Sequence, residues 1–331
     1  MKKSLVALAV LAASGAAMAQ SSVTLYGIAD VWLGSWKQET GSVSSTTTLL
    51  HSGGVSTSRW GMKGAEDLGG GLKAIFQFEQ GVNVDTGVAA NFGRQAYVGL
   101  AGGFGTVKLG LISSPFDNYQ AASNAAFDSD LAPANNPAGG VFRSANEYIG
   151  KVSNTVAYES PNFSGFAGQI SYSLDEDVAT QPSITSMALT YGAGPLAAQF
   201  AYQVEDKSTA SSDISYLRLG ASYNFGVATA KFTYGAVDNI GNVDGAKASE
   251  FQIGADMPIS AAMTLSASYA VSDDNDKAGD TKRSGFGMAV AYGLSKRTTL
   301  YGGFKIAKFD YIGTKPDTDH TVFAAGVKHT F

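Results

Sequence analysis

The sequence predicts an all-β fold, a 16-stranded antiparallel transmembrane β-barrel. Three observations support this prediction. Apolar and polar residues alternate with a period of two over segments of about ten residues. Sixteen such segments can be placed along the 331 residues, and the connections between them alternate between short and long. A strand of about ten residues, tilted by about 45°, matches the thickness of the bilayer core.

The alternation is clearest in the segment 263–271. One face carries Met263, Leu265, Ala267, Tyr269 and Val271, whereas the other carries Thr264, Ser266, Ser268 and Ala270. The segments 166–174, 196–204 and 286–294 repeat the pattern. The polar faces hold mostly Ser, Thr, Gln, Gly and Ala, which favours a barrel with lipid outside and water inside. A soluble β-sandwich, with shorter strands and more charge on its outer face, is the alternative.

The spacing of the segments sets the strand number. The predicted strands begin near residues 23, 57, 71, 94, 105, 153, 165, 184, 195, 214, 227, 248, 262, 284, 297 and 320. The connections predicted to be long include 37–56, 81–93 and 113–152. All eight prolines fall in connections or at strand edges, where proline removes no ladder hydrogen bond. A barrel of sixteen strands leaves an aqueous channel, with short turns in the periplasm and long loops outside.

The composition excludes several classes of protein. The chain has no Cys, so a disulfide scaffold, a thiolate zinc site and a Cys nucleophile are ruled out. Its three His are scattered and match no metal-ligand spacing, which argues against a His-based zinc site. The formal net charge of −5 does not fit a general nucleic-acid binder. The segment 273–277 resembles half a calcium loop, but it lacks the Gly and the distal Glu of that motif. Nothing in the sequence calls for a cofactor.

The first residues have the pattern of a secretory signal peptide. Lys2 and Lys3 form a basic start, the segment 5–13 is apolar, and Ala17 and Ala19 frame a cleavage site. We therefore expect a signal peptide at 1–19 and a barrel domain at 20–331. A first core helix is the alternative interpretation of the apolar segment.

Several longer segments resemble a known family. They are 22–30 (SVTLYGIAD), 58–79, 93–100 with 103–110, 154–165 and 326–331. These segments resemble the general diffusion porins of Gram-negative bacteria, in the branch common in betaproteobacteria and Neisseria. The resemblance covers 20–331. It implies a homotrimer in the bacterial outer membrane, reached through the periplasm, in contact with outer-membrane lipid and lipopolysaccharide. It also implies passive diffusion of small hydrophilic solutes and ions, with no nucleic-acid partner and no enzymatic activity.

The resemblance also implies that the third external loop folds into the barrel and narrows it. That loop is the connection 113–152, which carries the acidic residues Asp117, Asp128, Asp130 and Glu147. A disordered external loop is the alternative, but aromatic residues such as Phe116 and Phe142 argue against it. The resemblance further implies that the terminal Phe331 is a signal for barrel insertion, although it could be an ordinary strand end.

The parity of the strands places basic residues inside the barrel. Charges on the lipid face at mid-depth cost about 2–4 kcal/mol, so an inward position is favoured. Inward positions are predicted for Arg59, Lys63, Lys73, Lys108, Lys151, Arg218, Lys231 and Lys305. Parity does not settle the direction of Arg94, because Tyr97 and Val98 lie on opposite faces.

The family sets a ladder of basic residues on the wall opposite acidic groups of the third loop. The resemblance, together with the parity of the strands, therefore predicts a pore constriction formed by Arg59, Arg94, Lys151, Lys73, Lys108, Asp117, Asp128, Asp130 and Glu147. Lys151 stands where this branch often has Arg, and Lys is a point charge rather than a rigid fork. Each basic residue could instead be a solvated charge outside the narrowest section. Because basic residues outnumber acidic ones on the predicted wall, we expect a weak preference for anions.

Two other functions remain open from the sequence. An outer-membrane enzyme would need an external or lipid-facing group of the Ser/His/Asp type. His51 and His320 lie in or beside predicted loops, but neither neighbours a nucleophile motif. A soluble secreted β-protein used for binding is the third possibility, and it would need no detergent to stay in water.

Overall fold

The computed structural model describes residues 22–118, 130–132, 148–174, 182–206, 212–275, 277–313 and 315–331. The signal peptide expected at 1–19 lies outside the described residues, as do Asp128 and Glu147. The strands are β1 (Ser22–Thr40), β2 (Val43–Ser52), β3 (Arg59–Gly69), β4 (Leu72–Gly81), β5 (Gln95–Gly102), β6 (Gly105–Ser113), β7 (Lys151–Glu159), β8 (Phe166–Ser173), β9 (Ser183–Ala193), β10 (Leu196–Asp206), β11 (Ile214–Asn224), β12 (Thr229–Asp238), β13 (Lys247–Pro258), β14 (Met263–Asp274), β15 (Thr281–Gly293), β16 (Thr298–Tyr311) and β17 (Thr318–Thr330). A short helix α1 (Pro115–Asn118) follows β6, and a 3₁₀ helix (Ile240–Asn242) follows β12.

The sheet closes on itself between the first and the last strand. β1 pairs antiparallel with β17, from Ile28 opposite Thr330 to Thr40 opposite Thr318. At the chain end, Gly27 and Phe331 exchange two backbone hydrogen bonds, each with an N···O distance of 3.1 Å. Closure pairs the first strand with the last, which is what a β-structure that spans lipid requires.

Seventeen strand segments form sixteen positions in the barrel. β2 pairs with residues 31–40 of β1, and β3 pairs with residues 22–28 of the same strand. The two segments therefore share one position and are separated by the break 53–58. The predicted closed barrel of sixteen antiparallel strands is confirmed.

The prediction of a long loop at 37–56 is wrong. β1 continues to Thr40, the chain turns at Gly41 with a φ of +57°, and β2 runs back along β1. The segment 43–52 shows no period-two alternation, and most of its residues are exposed. Such alternation arises only where one face of a strand meets an apolar phase. Most of β2 therefore has no buried face, and its sequence shows no period-two pattern.

The two faces of the barrel wall differ as predicted. Large apolar side chains such as Val98 and Leu109 point outward and are 61% and 50% exposed in the single chain. Polar side chains such as Ser186 and Gln203 point inward and are buried. Seven short turns lie at one end of the barrel, and the other end carries the longer connections together with the tight β1–β2 turn. Within the described ranges, no helix is long and apolar enough to cross a membrane.

Candidate functional site: the charged inner wall

The inner wall of β1 and β3–β5 holds one carboxylate between two arginines. Glu79 lies on β4, opposite Gly61 of β3 and Gln95 of β5. Its Oε1 accepts a hydrogen bond from Arg94 Nε at 2.7 Å and lies 3.9 Å from Arg59 Nε. Its Oε2 accepts a hydrogen bond from the Tyr26 hydroxyl at 2.8 Å. Both arginines therefore face the lumen, which answers the open question of where Arg94 points.

The space for this cluster comes from a missing side chain. A Cβ placed on Gly61 would lie 2.8 Å from the hydroxyl oxygen of Tyr26, closer than carbon atoms normally approach. Glycine at this position therefore lets the Tyr26 ring lie across β3 and reach Glu79. The Glu79 side chain is only 10% exposed, so its charge is largely neutralised locally by its donors.

A second ion pair lies closer to the short turns. The Tyr97 hydroxyl donates to Gln77 at 3.0 Å, and Gln77 in turn donates to the Tyr26 hydroxyl at 2.6 Å. Lys108 Nζ lies 5.0 Å from the centre of the Tyr97 ring and 2.5 Å from Glu159 Oε1. The predicted residue Lys108 is thus on the same wall as Arg59 and Arg94, but it is bound to its own carboxylate.

Two inward-facing lysines of this wall have no acidic partner among the described residues. Lys63 Nζ lies 5.3 Å from the centre of the Tyr26 ring, a cation–π contact. Lys328 Nζ lies 3.5 Å from Ser56 Oγ. By contrast, the predicted site residue Lys73 is exposed beside the β3–β4 turn, opposite Asp67. Lys73 is therefore not brought to the cluster around Glu79.

The connection between β6 and β7 is fixed at its start by an ion pair. Asp117, in α1, binds Lys151 of β7 through Oδ2 and accepts a hydrogen bond from the Tyr148 hydroxyl through Oδ1 at 2.9 Å. The two predicted site residues Asp117 and Lys151 are therefore partners. Their charges offset each other at the beginning and the end of the same connection.

The residue before Asp117 docks on the inner wall of β9 and β11. Phe116 is fully buried, and its backbone N–H donates to Ser186 Oγ at 3.0 Å. Arg218 Nη1 donates to the Phe116 carbonyl at 2.9 Å, and the guanidinium carbon lies 4.3 Å from the centre of the Phe116 ring. Hydrogen bonds and cation–π contact together hold α1 against the inward face of these strands.

A later part of the same connection is fixed to β1 and β2. Asp130 Oδ2 accepts hydrogen bonds from Trp32 Nε1 and His51 Nδ1, each at 2.9 Å. Leu131 is fully buried in a cluster with Trp32 and Val55. In the order of strands, β1 and β10 lie about half-way round the barrel from each other. The described parts of the connection thus contact inward-facing side chains on opposite sides of the barrel.

Sequence reasoning missed several residues of this wall. Tyr26, Trp32 and His51 were not candidates, although each touches a predicted acidic residue or an inward-facing one. Their partners lie 53 to 98 residues away in the chain, so no local sequence motif indicates these contacts. Within the described ranges, no group of three His, Cys, Asp or Glu side chains could hold a metal ion.

A closed barrel with an apolar outer wall and a charged, polar inner wall defines a membrane channel of the porin type. The chain belongs to the Gram-negative porin family, whose family model matches residues 4–311. It is 36% identical to outer membrane porin protein 32 of Delftia acidovorans, over 99% of this chain and 95% of that one. It is 31% identical to an outer membrane porin protein of Bordetella pertussis, over the full length of both.

The solved structures agree with the sequence relatives. An anion-selective porin from Comamonas acidovorans superposes with a TM-score of 0.79 and 28% identity, over 94% of this chain and 100% of that one. The trimer form of OmpT of Vibrio cholerae, at 17% identity and a TM-score of 0.68, shares the fold. The predicted family, outer-membrane location and passive diffusion channel are confirmed. The family and the relatives point to a channel rather than to an enzyme.

Proposed function

We propose that this porin is a homotrimer whose channels have a weak preference for anions. The observation that carries the proposal is the balance of charge on the inner wall of β1, β3–β6 and β17. Glu79 is the one carboxylate shared by Arg59 and Arg94, and Lys108 has Glu159. Lys63 and Lys328 add positive charge without an ion pair in the described part of the chain, and the buried Asp30 of β1, opposite Lys328, offsets only part of it. An anion that passes along this wall meets a positive potential.

The short range of these charges decides what they can do. At physiological salt the screening length is about 8 Å, so only charges close to the path of an ion act on it strongly. The formal net charge of −5 is therefore a poor guide to selectivity. The charged groups that act are those at the narrowest section, and these include the cluster around Glu79.

We further propose that the third loop, 113–152, folds into the barrel and sets that narrowest section. Its contacts at Phe116 and at Asp130–Leu131 support this, because they lie on opposite inner walls. The acidic residues Asp117 and Asp130 are each bound to cationic or N–H donors in the described structure. Their negative charge is thus partly offset, which leaves the basic wall to dominate.

The trimer is supported by the neighbours rather than by this single chain. Porins of the same fold include a trimer form, and the anion-selective neighbour covers nearly the whole chain. The expected contacts with outer-membrane lipid and lipopolysaccharide are part of the same proposal. The channel would admit small hydrophilic solutes and ions.

Recordings from the purified protein in a planar bilayer test this proposal. We expect conductance that rises in groups of three steps, and a reversal potential in a potassium chloride gradient whose sign reports chloride as the more permeant ion. Single independent steps would contradict the trimer. A reversal potential with the sign for potassium would contradict the anion preference.

A further inference from the structure

The break between β2 and β3 is folded around one buried carboxylate. Asp30 of β1 is 0% exposed, and its two oxygens accept backbone N–H groups from the break. Gly54 donates to Oδ1 at 3.1 Å, while Val55 and Ser56 donate to Oδ2 at 3.1 and 2.8 Å. The Tyr301 hydroxyl of β16 donates to Oδ1 at 2.5 Å.

The backbone of the same residue fixes both ends of the break. The Asp30 carbonyl accepts the N–H of Gly53 at 2.9 Å and the hydroxyl of Ser58 at 2.9 Å. The Asp30 N–H in turn donates to Ser58 Oγ at 2.9 Å. A buried carboxylate is costly unless it is fully hydrogen-bonded. Here the four donors to its oxygens satisfy it and give the break one conformation.

The folded break forms a docking place for the third loop. The Gly54 carbonyl accepts the N–H of Leu131 at 3.4 Å, and Val55 belongs to the buried cluster that contains Leu131 and Trp32. A Cβ on Gly54 would lie 2.0 Å from the Tyr301 hydroxyl oxygen. Glycine therefore lets the break pack directly on Tyr301.

We infer that Asp30 is a positioning residue. It shapes the break 53–58 into a docking site that holds the third loop at Asp130 and Leu131. The inference rests on the proposed path of that loop inside the barrel. Asp30 touches neither the loop nor a passing solute in the described structure, and it acts through Gly54, Val55 and Tyr301. Asp130, which binds Trp32 and His51, is the loop residue that this docking site orients.

The four hydrogen-bond donors that shape the docking site require a carboxylate at residue 30. An ionised carboxylate only accepts hydrogen bonds, whereas an amide carries an NH₂ group that donates. In Asp30→Asn, one of the two oxygens that receive Gly54, Tyr301, Val55 and Ser56 becomes a nitrogen that faces their N–H or O–H groups. We expect the segment 53–58 to rearrange and the third loop to lose its docking site while the strands stay paired.

The first experiment compares three variants with the wild type in planar bilayers and liposome swelling. Asp30→Asn and Leu131→Ala should each raise the single-channel conductance and admit larger neutral sugars. Leu131→Ala leaves the barrel wall intact, so it remains informative if Asp30→Asn folds poorly. Asp310→Asn, an exposed carboxylate that faces outward on β16, is the matched control and should behave as wild type. Heat-modifiable migration in gels confirms that each barrel is folded.

A covalent tether separates a positioning role from a general structural one. The chain has no Cys, so His51→Cys with Asp130→Cys introduces a unique pair that a short bifunctional thiol reagent can bridge. If Asp30 acts by holding the loop, bridging this pair in the Asp30→Asn background should restore the wild-type conductance and sugar cut-off. Failure of the bridged protein to recover would overturn the inference.

The outcomes also distinguish this inference from the proposed loop path. If shortening the loop widens the channel but Asp30→Asn and Leu131→Ala do not, the loop lies inside and Asp30 does not position it. If none of these changes alters conductance in folded protein, the loop path itself is wrong.

Discussion

Arg94 donates to Glu79 at 2.7 Å, and that carboxylate also lies within 3.9 Å of Arg59. One carboxylate thus lies between two guanidinium groups, and the net charge of the three groups is positive. Because the Glu79 side chain is only 10% exposed, solvent screens these charges less than it would at an open surface. Removal of the two arginines and removal of the Glu79 charge should therefore move ion selectivity in opposite directions.

Changing Arg59 and Arg94 together to Ser should shift the reversal potential toward cations. The change removes both guanidiniums and leaves Glu79 with the Tyr26 hydroxyl as its hydrogen-bond donor from these contacts. The measurement is the reversal potential in a potassium chloride gradient. A matched control changes Lys37 and Lys308, which face outward near the long-loop end, to Ser. A double arginine variant that keeps the wild-type reversal potential would show that these arginines do not line the constriction.

Glu79→Gln should shift the reversal potential the other way, toward stronger anion preference. Gln has nearly the same shape, and it can still accept from Tyr26, but it carries no charge to offset Arg59 and Arg94. The same salt gradient measures the effect. A shift toward cations in this variant would mean that the cluster does not face the ion path.

The anion preference should fall as the salt concentration rises. The screening length shortens from about 10 Å at 0.1 M to about 3 Å at 1 M, so an ion in the channel feels fewer wall charges. The chloride-to-potassium permeability ratio, measured at both concentrations with the same gradient, should move toward one. The Arg59 and Arg94 double variant should show a smaller change. An equal ratio at both concentrations in the wild type would point to selection by size rather than charge.

Removal of Phe331 should lower the yield of folded barrel. The deletion takes away two backbone hydrogen bonds with Gly27 that close the sheet, worth about 1 kcal/mol each. Phe331→Ala keeps both hydrogen bonds and should have the smaller effect. The heat-modifiable fraction after refolding into detergent measures the yield. If the deletion refolds as well as the wild type, closure does not depend on the last residue.

Much of the fold could be predicted because the membrane imposes a pattern on the sequence. Each strand that meets lipid on one side and water on the other alternates with a period of two, as residues 263–271 do. Most of β2 is exposed, so its Thr- and Ser-rich sequence lacks that pattern and predicts a loop. The strand count still came out correctly because β2 and β3 share one barrel position.

The inner wall was predicted in direction but not in its contacts. Parity indicated that Arg59 and Lys63 face inward, because each strand is regular. It could not indicate that Arg94, which lies just before the start of β5, reaches Glu79. Nor could it pair Asp130 with Trp32 and His51, which lie 98 and 79 residues away, because such contacts depend on how the connection folds.

The width of the channel depends on the path of the third loop, and one conductance measurement tests that path most directly. Shortening the loop within 117–145 removes material between the contacts at Phe116 and Lys151 while the strands stay intact. If the loop lies inside the barrel, the folded protein then conducts more current per channel and admits larger neutral solutes than the wild type. Unchanged conductance and an unchanged solute cut-off in correctly folded protein would place the loop outside the channel and contradict the proposed path.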